Sequence, residues 1–131
     1  MNTLFALSQK DGRPMYLQIM EQIKQLVAHG DWQQGEKVPS IRELAVATRV
    51  SVITVKRAYQ ELEREGVLVT QQGVGSFVAR NEDLGDQIMQ TEIDKHLNAA
   101  LTHAKSYGIS AADLIMRLQH LSAKNEDDDN E

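Results

Sequence analysis

A chain of 131 residues has room for one ordinary domain or two small ones, and it is too short for most enzymes built around a deep two-lobed cleft. Its 41% hydrophobic and 25% charged residues exclude a disordered chain, and the lack of cysteine excludes disulfides, thiol nucleophiles and cysteine-based zinc sites. The formal net charge of -5 is unevenly spread: residues 1–80 carry ten Lys and Arg against eight Asp and Glu, whereas residues 81–131 carry four against eleven. No apolar run approaches the roughly 20 residues that span a bilayer. Residues 1–10 lack a basic stretch followed by an apolar core, so the chain is read as cytoplasmic.

Pro14 suits the first position of a helix, and Tyr16, Ile19, Met20, Ile23, Leu26 and Val27 then recur at helical spacing, predicting a helix over 14–29 that stops at Gly30. Residues 31–39 read as a connection anchored by Trp32, with a turn at Gly35. Ser40 and Glu43 form a capping box, so a short helix starts there, carries Ile41, Leu44, Ala45 and Val46 on its apolar side and stops near Thr48. Ser51 is a second N-cap, opening a helix whose stripe is Val52, Val55, Ala58, Tyr59 and Leu62 and whose end is Gly66. Two capped helices meeting across Arg49 and Val50 give the pattern of a helix-turn-helix, whose second helix is the one that enters a major groove. Lys37, Arg42, Arg49, Lys56 and Arg57 fall here against Glu43 alone, a candidate phosphate-facing patch.

After Gly66 the period becomes that of strands, with Val67, Leu68 and Val69 and then Ser76, Phe77 and Val78 on either side of Gly73 and Gly75. Two strands alone are marginal, so this hairpin is expected to lean on the preceding helices as a wing. From Asn81 a helix is predicted with Leu84, Ile88, Ile93, Leu97, Ala100, Leu101 and Ala104 along one side, closing near Tyr107 and Gly108. Ser110 and Asp113 cap a last helix that carries Leu114, Ile115, Leu118 and Leu121. Residues 125–131 form a like-charged run expected to be disordered.

The fold class is therefore mainly α with a small β-hairpin: a winged helix-turn-helix over 1–80, a two-helix region over 81–124 and an acidic tail over 125–131. Two amphipathic helices of this length cannot enclose a core alone. Leu84, Ile88, Ile93, Leu97, Leu101, Leu114, Ile115, Leu118 and Leu121 are accordingly read as the surface of a two-fold homodimer, which implies two reading heads and an inverted-repeat target.

The blocks Val38-Pro39-Ser40-Ile41-Arg42-Glu43-Leu44-Ala45, Val50-Ser51-x-x-Thr54-Val55-x-x-Ala58-Tyr59-x-x-Leu62-x-x-x-Gly66 and Gly73-x-Gly75-x-Phe77-Val78 resemble the GntR family of bacterial transcription regulators over about residues 10–80. The short helical remainder is similar to that of the YtrA subfamily, since there is no room for the larger effector domains of other subfamilies. The resemblance implies sequence-specific binding of double-stranded operator DNA, with repression ahead of activation. It implies a base contact for Arg42, whose planar fork suits guanine O6 and N7. Ser51, Thr54 and Lys56 match positions that hold phosphates or base edges, and Gly73 and Gly75 match the wing tip, where the backbone can approach the minor groove. Lys37, Ser40, Arg49 and Arg57 complete the candidate DNA-contacting set with Val52 and Ile53. At those last two positions many relatives carry arginine or small polar residues, so the apolar pair is expected to lean toward thymine methyl groups.

Competing readings exist for several of these residues. Arg57 and Arg64 can pair with Glu61, and Arg42 with Glu43; Tyr16, Tyr59 and Phe77 suit packing roles. His29, His96, His103 and His120 do not make a metal site by spacing, Gly73-x-Gly75 fits no phosphate-loop pattern, and no nucleophile, base and orienting acid can be nominated, so neither enzyme activity nor a cofactor is implied. The alternative function is a protein-interaction adaptor that keeps the scaffold without binding DNA. No small-molecule effector is identifiable, because two helices offer no evident enclosed pocket.

Overall fold

A computed structural model describes residues 6–129, which form two compact units parting between Met89 and Gln90. The first contains α1 (Met15–Ala28), α2 (Ile41–Thr48), α3 (Val52–Arg64) and the antiparallel strands β1 (Leu68–Gln71) and β2 (Gly75–Val78). Two further helices follow, α4 (Leu84–Ser106) and α5 (Ala111–Asp129).

The first unit's core is built from one face of each element: Ile19, Ile23 and Val27 of α1, Leu44 and Ala45 of α2, and Val55, Ala58, Tyr59 and Leu62 of α3. Full burial of side chains such as Ile23 or Leu62 contributes about 1.5–3 kcal/mol each before ordering costs. Pro14 lies one position earlier than expected, as the cap whose carbonyl accepts from Leu17 and Gln18 N–H. At the other end of α1, Trp32 N–H returns to Leu26 O at 3.1 Å and its indole is buried, closing the chain onto the core. Lys24 is buried yet charged, and its Nζ reaches Glu65 at the end of α3 at 2.7 Å. This pair ties α1 to the end of α3 where a lone buried ammonium would be costly.

The wing is more than a hairpin. Leu68 pairs with Val78 and both side chains are buried, while Val69 and Thr70 turn outward opposite Phe77 and Ser76. On its other edge β2 is paired again: Gly35 N–H donates to Val78 O, Val78 N–H to Glu36 O and Val38 N–H to Ser76 O, each at 2.9 Å, with a bridge between Lys37 and Phe77. The segment read as a plain connection thus adds a bridge and three backbone hydrogen bonds to β2, which satisfy the outer edge of a ribbon that would be marginal by itself.

The segment preceding α1 is strapped down by two glutamines. Gln22 Oε1 accepts from Ala6 N–H and its Nε2 donates to Ala6 O, both at 2.9 Å. The buried Gln18 does the same with Ser8 and donates also to Arg13 O. Each primary amide offers a donor and an acceptor side by side, so it pairs with extended backbone as a strand would. Arg13 adds ion pairs to Asp11 and Glu21, and its guanidinium holds the Asp11 carboxyl below the ordinary carboxylate range.

Two expectations for the C-terminal half need correction. Leu84 and Ile88, read as dimer-surface residues, are only 4% and 8% exposed and belong to the first unit's core. Their turn lies close against α1, as a Cβ added to Gly85 would sit 3.3 Å from Ala28 O. The first unit therefore extends to Met89 and not to residue 80, because the helical period through 84–104 does not reveal that its first turn is already occupied. The acidic run is likewise not all tail: α5 continues through Asp129, although Glu126, Asp127, Asp128 and Asp129 crowd its C-terminal turn, where no basic residue offsets them. Residues 130 and 131 of that run lie outside the described residues.

Within the second unit, Gly108 with φ +70° and the bond from Ile109 N–H to Ala104 O end α4, and Ser110 caps α5 through Asp113 N–H at 3.1 Å. α5 buries no residue in the single chain, and Leu114 alone among its described residues is half-buried.

The expected outcome of Leu84→Ala is a loss of about 2–4 kcal/mol in denaturant unfolding, the usual range for emptying a buried leucine site. The loss should be the same at all protein concentrations; a loss that vanished on dilution would mark Leu84 as an interface residue instead.

Candidate nucleic-acid interface

The site is assembled by two capped helix starts. Ser40 Oγ accepts from Glu43 N–H and Glu43 Oε1 accepts from Ser40 N–H, both at 3.1 Å, a complete capping box. Hydrogen bonds from the Ser40 backbone and hydroxyl hold the Glu43 carboxyl below the ordinary glutamate value, and Lys37 adds to this. Glu43 is thus committed to the cap and does not neutralise Arg42, which is exposed and makes no ion pair among the described residues. Ser51 Oγ accepts from Thr54 N–H at 3.2 Å and lies 2.8 Å from Thr54 Oγ1, so both hydroxyls sit at the start of α3. The amides of Val52 and Ile53 have no backbone acceptor among the described residues, as expected of a helix's first turn, where an anion can supply one.

Tyr59 fixes the two helices relative to each other. From the buried face of α3 its hydroxyl donates to Pro39 O at 2.6 Å, immediately before the α2 cap. Burial, with the charge of Glu43 adding, raises its pKa well above the ordinary phenol value, so the hydroxyl stays a donor. Tyr59 is a packing residue, as the sequence implied, and through this bond it also holds the segment that leads into Arg42.

The turn between the helices carries Arg49 at φ 57°, ψ 40°, the one non-glycine residue with positive φ among the described residues. Val50 N–H reaches back to Ala45 O at 3.1 Å and Thr48 Oγ1 donates to Leu44 O at 2.7 Å, closing α2. Glycine normally fills this left-handed position, and a residue with a Cβ pays about 1–2 kcal/mol there. The strain places a cation at the corner between Arg42 and the N-terminus of α3.

The other expected residues divide. Lys56 is exposed on α3 and makes no ion pair among the described residues. Arg57 does not pair with Glu61; its guanidinium stacks 3.8 Å from the centre of the Tyr16 ring and donates to Tyr16 Oη at 3.2 Å, so it is held against α1. Arg64 is the residue that pairs with Glu61. At the wing, Gly73 has open space where a side chain would be, but Gly75 does not: with φ +144°, a Cβ there would lie 2.7 Å from Lys37 Cε. The gap left by Gly75 is filled by the stem of Lys37, which stations that cation at the wing. Val46, expected on the inner side of α2, is instead 80% exposed. The core reaches only Leu44 and Ala45, because an eight-residue helix lying across α3 has a narrow buried face. No group of three or more metal-ligating side chains occurs among the described residues, and none of their helices is long and apolar enough to cross a membrane.

Residues 15–78, which hold this whole arrangement, match the model of the gntR family of bacterial regulatory proteins. YhcF of Bacillus subtilis, an HTH-type transcriptional regulator, is 30% identical over 106 residues, covering 81% of this chain and 88% of its own length. The chain belongs to the GntR family. The transcriptional repressor YtrA of Bacillus subtilis is 34% identical over 103 residues, 71% of this chain and 79% of YtrA, which together with a structural likeness to YtrA of Sulfolobus acidocaldarius (TM-score 0.58, 32% identity, 73% and 99% covered) assigns the YtrA subfamily. A GntR-family regulator from Listeria monocytogenes matches over 84% of this chain and 96% of its own at TM-score 0.71 and 26% identity. The DNA-binding domain of AraR, solved in complex with operator ORX1, matches over 59% of this chain and 93% of its own at TM-score 0.51 and 30% identity. GntR proteins are transcriptional regulators and not enzymes, and this chain is a DNA-binding regulator with a winged helix-turn-helix.

Arg49→Gly separates stability from binding. Relief of the left-handed strain, less glycine's greater unfolded-state entropy, should raise stability by about 1 kcal/mol in thermal unfolding. Affinity for specific DNA, read by fluorescence anisotropy, should fall with the loss of the cation; unchanged affinity would remove Arg49 from the contact set.

Proposed function

We propose that this chain is a cytoplasmic repressor that binds an inverted-repeat operator as a homodimer, α3 entering the major groove and Lys37 with the Gly73 turn following the adjacent backbone. The exposed cations Arg42, Arg49 and Lys56 near the first turn of α3 support the groove assignment, and the name of the similar YtrA repressor supports the direction of regulation. Arg42 is the residue proposed to read guanine, with Ser51 and Thr54 at phosphate.

The observation that carries dimerisation is the apolar stripe left uncovered in a single chain. Ile93, Leu97 and Leu101 recur every four residues on α4 and are 44–59% exposed, and Ile115, Leu118 and Leu121 on α5 are more than half exposed. A 19-residue helix that buries nothing is not stable in water by propensity alone. A second copy supplies the same stripe in self-complementary form. The dimer set is accordingly Ile93, Leu97, Leu101, Leu114, Ile115, Leu118 and Leu121, without Leu84 and Ile88.

Sedimentation should find the wild-type chain dimeric and the double variant Leu97→Glu, Leu101→Glu monomeric, while the first unit stays folded; a variant still dimeric would overturn the stripe's role. In gel-shift titrations Arg42→Ala should lose sequence preference by at least tenfold with a native circular-dichroism spectrum, since a bidentate base contact is worth about 1–3 kcal/mol. Undiminished preference would defeat its role.

A further inference from the structure

We propose that Val46 of α2 reads a thymine methyl group in the operator, beside the base taken by Arg42, so that α2 contributes to specificity together with α3. The inference rests on the DNA-binding reading and deepens it. Val46 follows Arg42 by one helical turn of α2 and therefore shares its face. Arg42, Ala45, Val46, Val50, Ser51 and Val52 line one shallow groove between α2 and the first turn of α3.

A single exposed valine carries no message. Here Val46 and Val52 stand exposed in that groove together with Arg42, and Ile53, next to Val52 in sequence, is exposed as well. Valine is also the poorer choice for the helix itself, where alanine is favoured by several tenths of a kcal/mol. Apolar groups beside an exposed arginine and the first turn of α3 complement a partner that offers phosphates outside and methyl groups within. Among base edges in the major groove only thymine presents a methyl, and it does so beside hydrogen-bonding groups of the kind Arg42 can take. Val52 reaches the groove from α3; Val46 closes it from α2 and makes the notch two-sided, which suits one methyl group held between two helices.

The test begins with the full chain and a random-sequence duplex library, from which bound fragments are selected to define a specific duplex. Each thymine in that duplex is then replaced in turn by uracil, which deletes only the methyl group, and Kd is measured by fluorescence anisotropy for the wild type and Val46→Ala. At one thymine in each half-site uracil should weaken the wild type about fourfold, the worth of one buried methyl. Val46→Ala, folded by circular dichroism, should bind the thymine duplex about fifteenfold more weakly, the contact being lost in both half-sites, and be indifferent to uracil at that position. Equal losses for both proteins at every thymine, or wild-type affinity of Val46→Ala, would overturn the role of Val46 while leaving specific DNA binding intact. Failure to enrich any sequence would instead sink the DNA-binding reading, and this inference with it.

Discussion

The molecule depends on the burial of one face of α3. Val55, Ala58, Tyr59 and Leu62 face inward, in a core that also holds Ile19 and Ile23 of α1. A helix has a single stripe to give to a core, so committing these four side chains decides which residues are left outside. Ser51, Val52, Ile53 and Lys56 are those residues, and they are the surface a duplex would meet. The same face reaches further through the Tyr59 hydroxyl, because its bond to Pro39 fixes where α2 begins and therefore where Arg42 projects. One packing decision thus orients side chains on both helices.

Around this core, polar groups do work usually done by regular structure. Gln18 and Gln22 pair with the backbone of the N-terminal segment, and residues 36–38 pair with β2 while Lys37 lies across Gly75. Each device satisfies backbone groups that would otherwise face solvent unpaired. The Lys37 arrangement also joins structure to function: backbone pairing sets the wing, and the side chain of the same segment lends the wing its cation.

Much of this was legible in the chain of letters. The capping signals Ser40 with Glu43, Ser51 and Ser110 mark helix starts to within a residue, since a cap is a local bond between near neighbours. Gly66 and Gly108 mark ends for the same reason. What stayed hidden is what depends on tertiary placement. Leu84 and Ile88 carry the same periodic signal as Leu97 and Leu101, and only the fold reveals that the first pair is already buried. Val46 and Leu44 are both apolar and two residues apart, and the geometry of a short crossing helix decides which one faces out. Arg57 had Glu61 one turn away and took the Tyr16 ring instead, a partner 41 positions distant in sequence. Arg49 occupies a backbone conformation that glycine would have announced.

The last turn of α5 gathers four carboxylates at the negative end of the helix macrodipole. Dissolved ions screen both their mutual repulsion and their conflict with that dipole, so added salt stabilises the last turn of α5. The same ions compete with the cations of the reading head for phosphate and weaken its hold. Ionic strength therefore acts on this small regulator with opposite signs in its two units, tightening the end of one helix as it loosens the grip of another.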